Sequence, residues 1–267
     1  MKLIDPSPWP IFLSKATLIF VFGLIGAFRK QTFGIISLIL GTFIILGVLF
    51  HWWKDIIKEA IYEPYTKATK KGFRIAMYLF ILSEVIFFAT FFCSFFNAWL
   101  DSTFLFEISS HIKKIDWPPN GIPPHDPWSL PFINTLILLL SGTTINWTHR
   151  CLLENDKKNM IKMLLITILL GLLFIIIQAI EYYKTNFSLR EMGEKIIYIS
   201  NFYIITGFHC AHLMIGMLFL LICLFRAHRN QFTPQNHLCL EFASLYWHFI
   251  DIVWIFLFIF IYWLGGS

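Results

Sequence analysis

The sequence predicts an all-α integral membrane protein with seven transmembrane helices. Of its 267 residues, 57% are hydrophobic and only 14% are charged, and the mean hydropathy is +0.68. A typical soluble domain has about 25% charged residues, so this chain has too few to cover a soluble surface. The apolar residues also form continuous runs, without the alternation of a lipid-facing β-barrel. The excess apolar surface must therefore face lipid.

Seven apolar runs define the predicted helices, numbered here in chain order. A helix needs roughly 20 residues to cross the hydrocarbon, and runs 3, 6 and 7 are long enough to tilt or protrude. Lys15 interrupts run 1, and its side chain is expected to extend to the near membrane surface. The runs are Ile11–Phe28, Phe33–Trp53, Ile75–Leu100, Leu130–Trp147, Met160–Ala179, Ile196–Phe225 and Leu238–Trp263.

The connections predict the orientation. Fourteen of the 21 Lys and Arg residues lie in the N-terminal region and around the loops after runs 2, 4 and 6, and seven lie on the other side. Basic residues concentrate on the inner side, so the N-terminus is predicted inside and the C-terminus outside. The first ten residues lack the features of a cleavable presequence. The longest loop, Asp101–Ser129, is rich in proline and is predicted to be a rigid, non-helical lid on the outside.

Several function classes are excluded at this stage. The five cysteines form no CxxC pair, which argues against zinc and iron–sulfur sites and favours free thiols packed in the membrane. The net charge of +5 is spread over short loops and does not indicate nucleic acid binding. The chain has no phosphate loop, dinucleotide fingerprint or nucleophile elbow, so no catalytic residue of its own is predicted.

Glu84 lies near the middle of predicted helix 3, where a charged group costs about 2.5–3.5 kcal/mol on insertion scales. Its same-face neighbours at three and four residues are Phe80, Ile81, Phe87 and Phe88, so its own helix offers no counter-charge. Either another helix supplies a hydrogen-bonding partner, or the acid stays protonated. Two hypotheses remain: an acid bonded across helices for structure, and a membrane-embedded carboxyl that exchanges protons or contacts a partner subunit.

Polar residues follow one face of each of the later helices. On helix 7 the polar positions fall within about 80° of arc, and on helix 6 within about 120°. Facing stripes of this kind bond helices 4–7 to one another. The members are Thr206, His209 and His212 on helix 6, Glu241, Ser244, His248 and Asp251 on helix 7, Asn134, Ser141 and Thr148 on helix 4, and Gln178 and Glu181 on helix 5.

Metal or haem ligation by His209, His212 and His248 is the alternative for these stripes. Haem between membrane helices is expected to need histidines on two helices at matched depth, whereas His209 and His212 lie one turn apart on one helix. A membrane di-iron oxygenase would need more histidines, in clusters. The interpretation without a metal ligand is therefore favoured.

Aromatic and basic residues at inner helix ends suit anionic phospholipid head groups. The alternative is ordinary anchoring of the helix ends. The candidates are Trp52, Trp53, Lys54 and Lys58 around the end of run 2, Lys157 in the loop after run 4, and Arg226 and Arg229 just after run 6.

Taken together, the segments closely resemble cytochrome c oxidase subunit III of the aa3-type haem–copper oxidases, over nearly the whole chain and in order. Any one motif would be weak, but ten in the right order are very specific. The matching motifs are Asp5–Pro10, Trp52–Asp55, Lys71–Arg74, Ser83–Phe88, Trp117–Pro119, Leu139–Gly142, Gln178–Tyr182, Thr206–His209, Tyr246–Trp254 and Tyr262–Trp263.

The resemblance implies a two-helix bundle, residues 1–70, and a five-helix bundle, residues 71–267, separated by a V-shaped cleft that holds phospholipid. It implies that the chain carries no redox centre. Haem a and copper would lie in subunits I and II, which transfer electrons from cytochrome c to dioxygen and pump protons. The subunit would support assembly, proton uptake by subunit I and protection of its active site.

The resemblance also implies roles for single residues. Glu84 matches the membrane-embedded carboxyl of the family, and Trp53, Lys54, Lys58, Arg226 and Arg229 match its lipid head-group positions. The expected location is the mitochondrial inner membrane, with a bacterial plasma membrane as the alternative. A stand-alone membrane oxygenase and a proton-coupled transporter using Glu84 are the rival functions.

Overall fold

The computed structural model describes residues 7–62, 66–108, 126–185 and 195–265. Seven α-helices, each long and apolar enough to cross a membrane, run through these ranges, which confirms the predicted fold class. They are α1 (Trp9–Phe28), α2 (Thr32–Tyr62), α3 (Lys67–Ile108), α4 (Leu130–Leu153), α5 (Lys157–Lys184), α6 (Lys195–His228) and α7 (Leu238–Leu257).

The third helix is longer than its apolar run, and the predicted start of the loop at Asp101 is wrong. The structure continues α3 to Ile108. The prolines that argue against helix begin only at Pro118, so nothing in 101–108 stops the helix once the apolar segment has formed it. The lid predicted for the rest of the loop lies largely outside the described residues.

The last helix changes its winding before it ends, which periodicity did not predict. A π-helical turn, Phe258–Trp263, follows α7, and the Leu264 amide donates to the Ile259 carbonyl at 2.9 Å. The wider turn shifts the phase of the following side chains around the helix axis. Tyr262 is buried in this turn, with its hydroxyl 3.3 Å from Nε2 of Gln178.

The chain divides into two compact units, Met1–Thr69 and Lys70–Ser267. In the first unit, α1 and α2 approach closely at glycines. A Cβ on Gly34 would overlap the backbone of Gly26 and Ala27, and one on Gly41 would lie 2.8 Å from the backbone of Phe20. Small residues at such contacts allow apolar helices to pack in lipid, where no hydrophobic effect drives them together.

The second unit is built around α7. Just over half of the α7 span (56%) is buried inside the protein, a larger share than in any other described span. Trp247 and Trp254 fill its core. Their indole N–H groups donate to Ser141 at 2.9 Å and Thr135 at 3.0 Å, both on α4. A buried tryptophan usually has a hydrogen-bonding partner for its N–H group. Packing and hydrogen bonds therefore both hold α7 against α4.

Candidate functional site

Glu84 on α3 is hydrogen bonded to His212 on α6. Oε2 of Glu84 lies 2.8 Å from Nε2 of His212, and the two side chains are 22% and 12% exposed. Nδ1 of His212 lies 2.7 Å from the Phe208 carbonyl oxygen. A carbonyl only accepts, so Nδ1 carries a hydrogen. The Glu84–His212 contact therefore holds one further proton between its two atoms, either on the acid or on the imidazole.

Aromatic rings surround this pair. The ring of His212 lies 5.0 Å from that of Phe88, 6.1 Å from Phe87, 6.2 Å from Phe249 and 6.4 Å from Tyr246. These rings surround the hydrogen bond with apolar surface, and a low local dielectric strengthens a hydrogen bond electrostatically. Helix 3, which the sequence left out of the bonded set of helices 4–7, is thereby joined to α6.

His209 is fully buried and also bridges helices. Its Nε2 lies 3.3 Å from the carbonyl oxygen of Ile250 on α7, and its ring packs against Phe174 at 5.8 Å and Trp254 at 5.1 Å. Nδ1 has no hydrogen-bonding partner in the described part of the chain. The Nε2–H group therefore donates to the carbonyl, and the neutral ring serves as a wedge between α5, α6 and α7.

His248 on α7 bonds in two directions. Nε2 lies 2.8 Å from Oδ1 of Asn146 on α4, and Nδ1 lies 3.3 Å from Oδ2 of Asp251, one turn along its own helix. A Cβ on Gly142 of α4 would come within 2.6 Å of that same Asp251 oxygen. The glycine thus lets the carboxyl of α7 approach the backbone of α4.

Glu241, at the start of α7, forms a two-pronged ion pair with Arg74 on α3. Nε donates to Oε1 at 2.8 Å and Nη2 donates to Oε2 at 3.0 Å, the geometry in which a guanidinium binds a carboxylate best. The pair borders an open pocket that Tyr78, His149 and His248 also line. The polar face of α7 therefore contacts α3 as well as α4.

Thr206 belongs to a separate polar cluster near the C-terminal end of α5. The Tyr182 hydroxyl donates to Oγ1 of Thr206 at 2.6 Å. Nearby, Asn134 and Gln178 are linked by a hydrogen bond of 3.3 Å. Glu181 is buried beside them, and its two carboxyl oxygens have no hydrogen-bonding partner among the described residues.

The proposed lipid residues of the first unit surround the end of α2. Trp52 borders a shallow apolar groove with Pro10, Leu13 and other residues of α1. Trp53, Lys54 and Lys58 are exposed. Asp55 is not free, because it accepts a hydrogen bond from the Trp9 indole at 2.9 Å. Three exposed groups and an apolar groove thus lie at one end of this two-helix unit.

The proposed lipid residues of the second unit lie at the loops after α4 and α6. Lys157 Nζ is 3.5 Å from Oδ1 of Asn230. Arg226 donates to Gln231 at 3.2 Å and stacks on Phe232, while Arg229 stacks on Phe225. Arginine over an aromatic ring keeps its outward N–H groups available for an anion.

Sequence reasoning missed several partners. Arg74, Asn146 and Tyr182 were not singled out, yet each contacts a residue of the predicted stripes. One signal was available: Arg74 and Glu241 lie at helix ends that the predicted topology places on the same side of the membrane. The rings of His149 and His237 lie 5.3 Å apart. These residues are also at helix ends on the same side of the predicted topology, so this contact could have been anticipated in the same way.

Comparisons with known proteins decide the family. The family model described as cytochrome c oxidase subunit III matches residues 1–266. The chain belongs to the cytochrome c oxidase subunit III family. It is 46% identical to a probable cytochrome c oxidase subunit 3 of Rickettsia felis, over 99% of this chain and 95% of that protein. It is 42% identical to cytochrome c oxidase subunit 3 of Rattus norvegicus, covering 99% and 97%, and 42% identical to that of Marchantia polymorpha, covering 99% and 96%.

Membership of the subunit III family confirms the resemblance inferred from the motifs. The chain is a multi-pass membrane subunit of cytochrome c oxidase, an oxidoreductase complex made with other subunits. The relatives come from a bacterium, a mammal and a liverwort.

Proposed function

We propose that this subunit III family member is a non-redox core subunit whose buried acids and imidazoles hold its helices together. The main support is that each of the three candidate histidines forms a hydrogen bond to a helix other than its own, and the three partner helices differ. His209 contacts α7 through Ile250, His212 contacts α3 through Glu84, and His248 contacts α4 through Asn146. Side chains engaged in this way stabilise the bundle and leave electron transfer to other subunits.

The proposal places haem a and copper in subunits I and II of the complex, which pass electrons from cytochrome c to dioxygen and pump protons. This chain would pack on subunit I and support its assembly and proton uptake. Glu84 is proposed to contribute by holding α3 against α6 through the hydrogen bond to His212, which requires the shared proton.

Phospholipid binding is the second part of the proposal. In the two-helix bundle, residues 1–70, Trp52 and Trp53 would flank an acyl chain while Lys54 and Lys58 contact a phosphate. In the five-helix bundle, residues 71–267, Lys157, Arg226 and Arg229 would do the same. Exposed cations beside aromatic rings at a membrane surface favour anionic lipid.

The proposed location is the mitochondrial inner membrane, with the N-terminus on the matrix side. A bacterial plasma membrane is the alternative, and the relatives are compatible with both, since they include a Rickettsia protein and a mammalian one. Fractionation of the source cells, with detection of the chain beside haem a, distinguishes the two.

The central test is co-purification. An affinity tag on this chain is expected to retain haem-bearing subunits with an oxidase spectrum, and the chain separated from them is expected to show no haem absorption. Iron or copper bound in stoichiometric amount to the isolated chain would contradict the proposal.

Two rival functions give different results in the same preparation. A stand-alone oxygenase predicts iron in the purified chain and its loss in His212→Ala. A proton-coupled transporter predicts solute uptake by vesicles that contain this protein alone and loss of that uptake in Glu84→Gln.

The contribution of Glu84 has its own test. Oxidase with Glu84→Leu is expected to lose activity after several-fold fewer turnovers than oxidase with Glu84→Gln, which keeps a hydrogen-bonding group opposite His212. Ser83→Ala is the matched control, because within the described ranges Ser83 bonds only to the Phe80 carbonyl of its own helix. Equal lifetimes for all three would remove Glu84 from the proposal.

A further inference from the structure

Two cysteines meet where α6 leads into α7. The Sγ atoms of Cys223 and Cys239 lie 3.6 Å apart, and the Cys223 thiol also points at the Cys239 carbonyl oxygen, 3.8 Å away. Both are free thiols. A disulfide holds the sulfurs at about 2.05 Å, so the two thiols are in contact but unbonded, and their side chains must move closer for a bond to form.

The two thiols differ in access. Cys223 is fully buried, whereas Cys239 at the start of α7 is partly exposed. Arg226 lies one turn after Cys223 on α6, and Cys223 is in contact with Cys239, so a cation lies near both thiols. Reactive cysteines in proteins are partly exposed and lie next to a cation. Cys239 is therefore placed to meet an oxidant first, and Cys223 is placed to react with the product.

We propose that Cys223 and Cys239 form an oxidation site at which a hydroperoxide makes a reversible disulfide between α6 and α7. The Cys239 sulfur attacks a peroxide oxygen and the O–O bond breaks, which yields a sulfenic acid and, from hydrogen peroxide, water. The Cys223 sulfur then attacks the sulfenic sulfur, and the S–O bond breaks. The hydroxyl leaves as water with the Cys223 proton. Two thiols lose two electrons and two protons, and the peroxide is reduced to two waters.

The disulfide would close a short loop that carries Arg226 and Arg229. Cross-linking residues 16 positions apart restricts the connection between the helices. The order of this basic segment, and with it the proposed lipid contact, would then depend on the redox state. A thiol reductant reverses the bond by exchange.

The test uses the complete oxidase in its own membrane, treated with graded hydrogen peroxide and then alkylated. Mass spectrometry is expected to show Cys223 and Cys239 lost from the alkylated pool in equal amounts, as one linked peptide. Both thiols are expected to return after dithiothreitol. Cys93, Cys151 and Cys210, on α3, α4 and α6, serve as internal controls and are expected to remain alkylated.

Variants separate the two steps. In Cys223→Ser, Cys239 is expected to stop as a sulfenic acid that dimedone traps, and in Cys239→Ser, Cys223 is expected to stay reduced. Arg226→Gln is expected to slow the disulfide several-fold, while Arg150→Gln, at an exposed arginine of α4 that pairs with Glu154, leaves the rate unchanged. Independent oxidation of the two cysteines, or both staying alkylated while Cys93 reacts, would overturn the proposal.

Discussion

At the scale of single residues, polar groups of α3 to α7 work as pairs across helices. Glu84 meets His212, Glu241 meets Arg74, and His248 meets Asn146. Each pair joins two helices, because a polar group in hydrocarbon is stable only when its hydrogen-bonding capacity is used. Removal of one member leaves the other desolvated and unpaired, which costs more than the net value of the bond.

Glu84 gives the first prediction at this scale. Glu84→Gln is expected to keep the stability of the helix bundle, because the amide can bond to Nε2 of His212. Glu84→Leu is expected to lower the free energy of unfolding by about 1–3 kcal/mol, since it leaves that nitrogen unpartnered. Thermal unfolding of the detergent-solubilised complex measures both. Equal stability of the two variants would mean that His212 needs no partner.

Asp156 gives a pH-dependent prediction outside the membrane spans. It caps the N-terminus of α5, where Oδ1 accepts from the Asn159 amide at 3.1 Å and Oδ2 from the Asn159 side chain at 2.6 Å. These bonds favour the carboxylate, so the Asp156 pKa lies below its ordinary 3.8. A depressed pKa gives stability that is present above the unfolded pKa and is lost as the pH falls through the folded one.

Asp156→Ala is therefore expected to melt at lower temperature than the parent at pH 7. The difference should shrink as the pH falls below about 4. Asp156→Asn is the control, because asparagine also caps helices but does not titrate. A pH-independent difference between parent and Asp156→Ala would contradict the electrostatic part of this account.

At the scale of elements, helix contacts depend on small residues at particular positions. Gly34 lies where α2 touches the backbone of α1, whereas a Cβ on Gly47 of the same helix would meet no other element of the described chain within 4 Å. In the sequence both are glycines within the same apolar helix. Only the packing of α2 against α1 distinguishes the crowded position from the open one.

The glycine contrast gives the third prediction. Gly34→Ala is expected to separate α1 from α2 and to destabilise the pair by about 1–3 kcal/mol, because the new methyl group overlaps backbone that cannot rotate away. Gly47→Ala is expected to be neutral or slightly stabilising, since alanine is the better helix former. Protease resistance of the first unit in detergent measures the difference, and equal resistance of the two variants would contradict the close contact.

At the scale of the whole molecule, the distribution of basic residues predicts orientation. Asp126 follows the loop after α3, and Gln235 lies in the loop between α6 and α7; both are exposed. Fourteen of the 21 Lys and Arg residues lie on the N-terminal side, which predicts Asp126 outside and Gln235 inside.

Cysteine labelling tests this fourth prediction. In a background whose native cysteines are serine, Asp126→Cys is expected to react with a membrane-impermeant maleimide from the outside of intact vesicles. Gln235→Cys is expected to react only in inverted vesicles. The reverse pattern would show that the N-terminus is outside.

The sequence predicted the spans well and their ends less well. Hydropathy places a span because the bilayer demands about 20 apolar residues, but it does not say where a helix stops once outside the hydrocarbon. α3 therefore runs past Leu100 to Ile108. The π-helical turn Phe258–Trp263, in which Tyr262 is buried, leaves no mark in the hydropathy of the segment.

The sequence by itself determined the membrane class, the number of spans and the family, because the bilayer selects long apolar runs and the order of the motifs is specific. It also marked the buried polar residues, since their cost in hydrocarbon makes them stand out. Only the tertiary structure decided which side chains meet across helices: Glu84 with His212, Arg74 with Glu241, and Cys223 with Cys239. Those contacts depend on the rotation and depth of each helix, which are set by side-chain packing between helices and not by the hydropathy of any one of them.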